Sequence, residues 1–178
     1  MKMSMKGLSL VAAGFVLGAM TAPMGQVQGQ TGPKLADGAL AHLGFAVKDA
    51  DKSAKDFGEL FGVDVPKTMV IRDVPWGPRF PGKTMNVKFV QFTAHGVRYE
   101  LLEGLDGDSP WKDHIATHGE GLHHLGISVP DLPAARAMLL AKGGKVTQAY
   151  SEMANYVDME PRWPFTIELV AAPPAAAK

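Results

Sequence analysis

Hydrophobic and polar positions along the chain form short runs that predict strands and helices, and the same order of runs begins twice. The apolar run at residues 40–47 predicts a strand, and Asp49 is placed to cap a helix over about residues 50–61. Phenylalanine and leucine recur at helical spacing within that helix, and Gly62 ends it. Three further strands are predicted over residues 65–71, 86–93 and 97–103, and a proline-rich loop is predicted over residues 73–83.

The second start repeats this order. Residues 122–129 predict a strand, Asp131 is placed to cap a helix over about residues 132–142, and Gly143 and Gly144 end that helix. Three shorter strands are predicted over residues 145–149, 154–159 and 165–171.

A sequence duplication explains the two starts. At an offset of 82 residues, six of the ten positions 40–49 are identical to their counterparts. The module ends also match, since Tyr99-Glu100-Leu101 corresponds to Ile167-Glu168-Leu169 at an offset of 68 residues. The second module is therefore 14 residues shorter, and the loop at 73–83 holds most of the excess. We predict an α+β fold of two tandem βαβββ modules.

The duplication also picks out four polar residues. Because side chains alternate along a strand, His42 and Gly44 share one face of the first strand, and His124 occupies the equivalent face in the second module. The neighbouring His123 is then expected on the opposite face. Glu100 and Glu168 lie among apolar strand residues, where a buried carboxylate is costly unless a cation offsets it.

Taken singly, each of these residues has an ordinary explanation, such as a hydrogen-bonded histidine or a glutamate that points to water. Taken together they are symmetric, with a histidine opening and a glutamate closing each module. The chain has no cysteine, so a metal site must use imidazole and carboxylate ligands, which favour hard or borderline divalent cations. We predict one divalent ion (Ni, Co, Zn, Mn or Fe) held by His42, Glu100, His124 and Glu168.

Residues 40–170 resemble the vicinal-oxygen-chelate superfamily, which includes glyoxalase I, methylmalonyl-CoA epimerase, extradiol dioxygenases and bleomycin-resistance proteins. The resemblance implies a cupped mixed sheet around one metal ion, with ligands at His42 in LAHLGFAV, Glu100 in YELLEGL, His124 in GLHHLGISV and Glu168 in TIELV. The run ELLEGLDGDSPW followed by GLHHLGISV is most similar to the epimerase branch. The implied domain spans 39–172, with modules at 39–105 and 120–172.

The implied reaction removes a proton next to a carbonyl on a small oxygenated substrate, as in epimerases and glyoxalase-type isomerases or lyases. Glu168 is the first candidate for the proton carrier and Glu100 the second. Some epimerases of this type use an additional glutamate on the third strand, whereas residues 85–89 (MNVKF) contain no acid here. An iron dioxygenase and a ligand-sequestering protein of the bleomycin-resistance type are the alternatives.

The N-terminal residues predict export. Lys2 and Lys6 precede an uncharged stretch at residues 8–20, so residues 1–29 are interpreted as a signal peptide and 30–38 as a linker. The expected product is periplasmic or secreted, without a membrane anchor after cleavage, and with a disordered tail at 173–178. Eighteen basic and eighteen acidic residues give no charge pattern for nucleic acid; a homodimer is a compatible assembly.

His114 and His118 are a further pair to note. They lie four residues apart on a short helix predicted after Ser109 and Pro110, a spacing that permits metal binding. A solvated connecting helix is the better interpretation of this segment.

Overall fold

Each half of the chain folds as a strand, a helix and three strands in the computed structural model, which describes Leu35 and residues 38–75, 77, 81–149, 154–160 and 162–172. The first module contains β1 (Ala39–Ala46), α1 (Ala50–Phe61), β2 (Met69–Pro75), β3 (Thr84–Ala94) and β4 (Val97–Gly104). A connecting helix follows, α2 (Pro110–His118). The second module contains β5 (Gly121–Val129), α3 (Leu132–Ala141), β6 (Lys145–Ala149), β7 (Ala154–Asp158) and β8 (Thr166–Ala171).

All eight strands join one curled sheet in the order β2-β3-β4-β1-β5-β8-β7-β6. The two modules meet at the centre, where β1 and β5 pair antiparallel, while β1 pairs parallel with β4 and β5 parallel with β8. The strand order of the second half is the first half reversed, as a two-fold relation requires. The predicted α+β fold of two tandem βαβββ modules is confirmed.

Two aspartates begin the module helices as predicted. The side chain of Asp49 accepts a hydrogen bond from the backbone N of Lys52 at 2.9 Å, and Asp131 accepts one from Ala134 at 2.9 Å. Each aspartate thereby satisfies a backbone donor that the first helical turn leaves free. Gly62 ends α1 in the left-handed conformation at φ 65°.

The module helices cover the outer face of the sheet. Residues of α1 and α3 pack on alternate strand residues, among them Leu101 in the first module and Ile167 and Leu169 in the second. Because strand side chains alternate, the neighbours Glu100 and Glu168 point to the inner face. Burial of the outer face therefore fixes which residues face the inside of the cup.

The connecting helix α2 packs on the inner face. Trp111 is 1% exposed and belongs to one cluster with Ala46 and Leu102, which share a strand face with His42 and Glu100 respectively. The interpretation of α2 as a solvated connecting helix is therefore wrong for the side that carries Trp111.

The second strand differs from its prediction. It was expected at 65–71 but spans Met69–Pro75, which also shortens the predicted loop at 73–83. Pro66 has no N–H to donate to a strand ladder, and Val65 packs instead against the outer cluster under α1. An apolar run alone did not separate this packed loop from a strand.

The predicted signal peptide (1–29) and tail (173–178) lie outside the described residues, as does the predicted linker apart from Leu35 and Gly38. Within the described part of the chain, none of the helices combines the length and apolar character that crossing a membrane demands.

Candidate metal centre

Two rows of residues across the centre of the sheet build the site. In one row Gly44 of β1 is paired with His124 of β5 and with Glu100 of β4. In the other row Gly126 of β5 is paired with His42 of β1 and with Glu168 of β8. Each row thus has a glycine at its centre and one imidazole and one carboxylate at its sides. The two-fold relation of the modules exchanges the rows.

The two glycines are required because the opposite imidazole lies over them. A Cβ atom on Gly44 would overlap the ring of His124, and one on Gly126 would overlap the ring of His42. In the structure, the histidine of the other module fills the space beside each glycine. Each His-Leu-Gly sequence therefore supplies one imidazole and the space for the other.

The four side chains converge on one point. Nε2 of His42 lies 2.7 Å from Oε2 of Glu168, 3.6 Å from Oε2 of Glu100 and 3.0 Å from Nε2 of His124. Nε2 of His124 lies 3.3 Å from each of the two carboxylate oxygens. The structure thus brings all four sequence-predicted residues together.

These groups are buried. His124 is fully buried, and the other three residues are at most 8% exposed. Two carboxylates that are buried close to each other require positive charge nearby.

The charges of the cluster shift the ionisation of two members. Burial alone would lower the pKa of His124, but its hydrogen bonds to Glu100 and Glu168 outweigh burial and raise the pKa to about 9. Burial alone would raise the pKa of Glu168, but hydrogen bonds to His124 and His42 lower the pKa to about 2. The carboxylates therefore favour a cation between them. In the absence of metal, the protonated imidazole of His124 is that cation.

The arrangement fits a divalent metal ion. Two donors about 2.1 Å from one ion lie about 3.0 Å apart at a right angle and about 3.4 Å apart at a tetrahedral angle. The five measured donor separations, from 2.7 to 3.6 Å, span these values. Two imidazoles and two carboxylates also form a donor set typical of borderline divalent cations. Within the described chain, this is the one group of three or more potential ligands in such proximity.

The two glutamates differ in their surroundings. Oε1 of Glu100 accepts a hydrogen bond from Nε2 of Gln91 at 2.8 Å. Among the described residues, Oε1 of Glu168 accepts no hydrogen bond. Glu100 is thus fixed through both oxygens, whereas Glu168 keeps one oxygen uncommitted. The sequence prediction did not include Gln91, although its position opposite Glu100 follows once the β3–β4 register is known.

The prediction that His123 points away from His124 is wrong. In the β1–β5 pairing, Leu122 is opposite Phe45 and His124 is opposite Gly44, so His123 is an additional residue in a β-bulge. A bulge interrupts the alternation of side chains. Nδ1 of His123 accordingly lies 2.9 Å from Nδ1 of His124.

The His123 imidazole is buried and neutral. It is 6% exposed, and burial places its pKa well below the usual value of a histidine. Its ring packs edge-on against His114 of α2, with ring centroids 5.2 Å apart. Of the pair His114 and His118, His114 therefore borders the candidate site through its contact with His123.

Known proteins share this architecture. A family model, described as the glyoxalase/bleomycin resistance protein/dioxygenase superfamily, matches residues 41–160. Among solved structures, methylmalonyl-CoA epimerase from Mycobacterium tuberculosis is 22% identical over 76% of this chain and 88% of its own, with a TM-score of 0.55. A variant of the Streptomyces coelicolor methylmalonyl-CoA epimerase in complex with 2-nitronate-propionyl-CoA is 21% identical over 79% of this chain and 98% of its own, with a TM-score of 0.57.

A hypothetical protein from Bacillus halodurans C-125 is similar to the same extent, with 17% identity over 79% of this chain and 99% of its own and a TM-score of 0.54. At such identities these likenesses establish the fold alone. The family model covers about two-thirds of the sequence, including His42, Glu100 and His124. The chain therefore belongs to the glyoxalase/bleomycin resistance protein/dioxygenase superfamily.

Proposed function

We propose that this protein is a divalent-metal-dependent isomerase or lyase that removes a proton next to a carbonyl group of a small oxygenated substrate. The observation that carries the proposal is the buried cluster of His42, Glu100, His124 and Glu168, in which one carboxylate oxygen is uncommitted. An epimerase-like or a glyoxalase-like reaction would use the same proton removal.

In this proposal the two glutamates have separate roles. A bound divalent ion would supply Lewis acidity, which lowers the pKa of a proton next to a coordinated carbonyl. Glu100 is held by Gln91 and acts as a ligand only. Glu168 both faces the imidazoles with Oε2 and carries the substrate proton on Oε1, which no described residue engages.

The similar structures suggest a first substrate to test. One of them is a methylmalonyl-CoA epimerase in complex with methylmalonyl-CoA. Among the described residues, however, the inner face of β3 carries no acid near the site; its side chains are those of Met85, Val87, Phe89 and Gln91. A second acid that could serve the opposite face of a substrate is thus absent from this strand, and we include small hydroxy- and oxo-acids beside the thioester.

The number of potential ligands argues against the alternatives. An iron dioxygenase of this architecture needs two histidines and one carboxylate, and Glu100 would be a fourth donor. A protein that only sequesters a ligand has no need for a complete cluster of buried donors and should purify without stoichiometric metal.

Hydrogen exchange tests the proposed reaction. Cobalt-loaded protein is incubated with the candidate substrates in deuterated water, and incorporation of deuterium is followed by NMR. Glu168→Gln should retain metal but exchange substrate hydrogen at least ~100-fold more slowly, the usual scale for loss of a general base. Glu100→Gln should have a smaller effect, and Glu59→Gln on the exposed side of α1 should have none.

The role assigned to Glu168 is wrong if Glu168→Gln binds metal and exchanges the substrate at the wild-type rate. Absence of exchange by the metal-loaded wild type across the whole panel would argue for ligand binding without catalysis.

We further propose that the protein is exported and acts in the periplasm or outside the cell. The charged start and the uncharged run at residues 8–20 support this proposal. N-terminal sequencing of protein from the native cell envelope should find a mature chain that begins near Gln30. Recovery of the chain from the cytosol with Met1 intact would contradict export.

A further inference from the structure

We propose that His123 is a positioning residue, which holds the imidazole of His124 in the orientation that binds the metal ion. The inference rests on the metal centre of the proposed function but not on the reaction. Its starting point is the 2.9 Å contact between Nδ1 of His123 and Nδ1 of His124, inside the protein and away from solvent.

The β-bulge makes this contact possible. In a regular strand, adjacent residues point to opposite faces, so His123 and His124 would be on different sides of the sheet. Because His123 is the additional residue of the bulge, both imidazoles reach the inner face. A bulge at the same position of β1 places Ala41 before His42, so the support given by His123 exists in the second module only.

Tautomer chemistry defines the direction of the hydrogen bond. Nε2 of His124 points at Glu100, Glu168 and Nε2 of His42, and it must offer a lone pair to a metal ion. The proton of neutral His124 then resides on Nδ1, which donates to Nδ1 of His123. Hydrogen bonds of this kind from the second ring nitrogen fix the orientation and tautomer of metal-binding histidines.

Aromatic neighbours immobilise His123 in turn. Its ring contacts His114 edge-on at 5.2 Å and Tyr156 edge-on at 5.9 Å, measured between ring centroids. Tyr156 also packs against His124, with centroids 4.9 Å apart. Rotation of His123 would therefore require movement of α2 or β7, and the acceptor presented to His124 keeps its place.

Two substitutions separate the hydrogen bond from packing. Leucine in place of His123 fills much of the volume but has no acceptor, whereas asparagine places an acceptor near the former Nδ1. The dissociation constant of Co²⁺ is measured by calorimetry and the ligand geometry by the visible spectrum of bound cobalt. His123→Leu should weaken binding by ~10- to 100-fold and alter the spectrum. His123→Asn should recover most of the affinity and the wild-type spectrum.

His118→Leu is the matched control, because it removes a nearby α2 imidazole that lies beyond His114 from the metal centre. The affinity of His118→Leu for Co²⁺ should differ from that of the wild type by no more than ~2-fold. The inference is overturned if His123→Leu binds cobalt as the wild type does. It is also overturned if His123→Asn is as weak as the leucine variant, or if neither variant folds, since the role would then be structural. A wild type that binds no cobalt would instead overturn the metal centre itself.

Discussion

Single residues explain why the sequence His-Leu-Gly occurs at the centre of both modules. Gly44 lies under the ring of His124 and Gly126 under the ring of His42, so each glycine serves the histidine of the other module. Any side chain at these positions occupies the space of a candidate ligand. The glycines are thus as specific to the site as the four donors.

Gly44→Ala tests this point. Its methyl group should displace the His124 ring and weaken metal binding by at least ~100-fold, comparable with the upper range for disturbing the surroundings of a metal ligand. Calorimetric titration with Co²⁺ measures the change.

Gly62→Ala is the control for Gly44→Ala. Gly62 has φ 65°, and a methyl group at this position would meet open space, so alanine there should cost about 1 kcal/mol of stability without affecting the metal. Equal metal affinity in Gly44→Ala and wild type would show that the ring position does not determine binding.

Sequence symmetry was sufficient to predict the four converging residues, because the duplication relates His42 to His124 and Glu100 to Glu168. It was insufficient for His123 and Gln91. The side of His123 depends on a bulge, which is a property of strand pairing rather than of one strand. The place of Gln91 depends on the β3–β4 register.

At the level of elements, local signals predicted the helices better than the strands. The capping aspartates and Gly62 fixed the bounds of α1 and the start of α3 within the sequence itself. For β2 no such signal exists, and the apolar residues around Val65 fit a strand and a packed loop equally well. Pairing with β3 decides where that strand begins.

The capping prediction can be measured at a distance from the site. Asp131→Ala removes the acceptor for the backbone N of Ala134 and should lower the free energy of unfolding by about 1 kcal/mol. Urea unfolding of the metal-free protein gives this quantity. Metal affinity should stay unchanged, and a large loss of affinity would mean that α3 contributes to the site in a way that its position on the outer face does not explain.

At the level of the whole molecule, neither module holds the full set of donors. Each supplies one histidine and one glutamate, and the antiparallel pairing of β1 with β5 brings the two pairs together. A metal ion bound there would connect both halves of the sheet. The protonation state of the cluster should therefore affect the free energy of unfolding of the entire fold.

The pH dependence of metal-free stability follows from two pKa shifts. The pKa of His124 is raised from 6.5 to about 9, so its contribution is complete below 6.5 and is lost as the pH rises towards 9. The pKa of Glu168 is lowered from 4.5 to about 2, so its contribution is complete above 4.5 and is lost as the pH falls towards 2. In the presence of a chelator, the contribution of this cluster should be greatest between pH 4.5 and 6.5.

Thermal unfolding across this pH range, with chelator and with saturating Co²⁺, measures the effect. The metal ion takes the place of the His124 proton, so it should remove the loss of stability on the alkaline side. The wild type should be compared with His124→Ala, which lacks the titrating group. If the two proteins lose stability equally between pH 6.5 and 9, His124 does not carry the shifted pKa.

The central claim is that these four side chains together bind one divalent ion, and metal content tests it most directly. Untagged protein is stripped with chelator, loaded with Co²⁺, freed of excess ion and analysed by elemental mass spectrometry beside the double variant with His42→Ala and His124→Ala. We predict one ion per chain in the wild type and in the control His118→Ala, and none in the double variant. A wild type without metal, or a double variant that retains a full equivalent, would contradict the account.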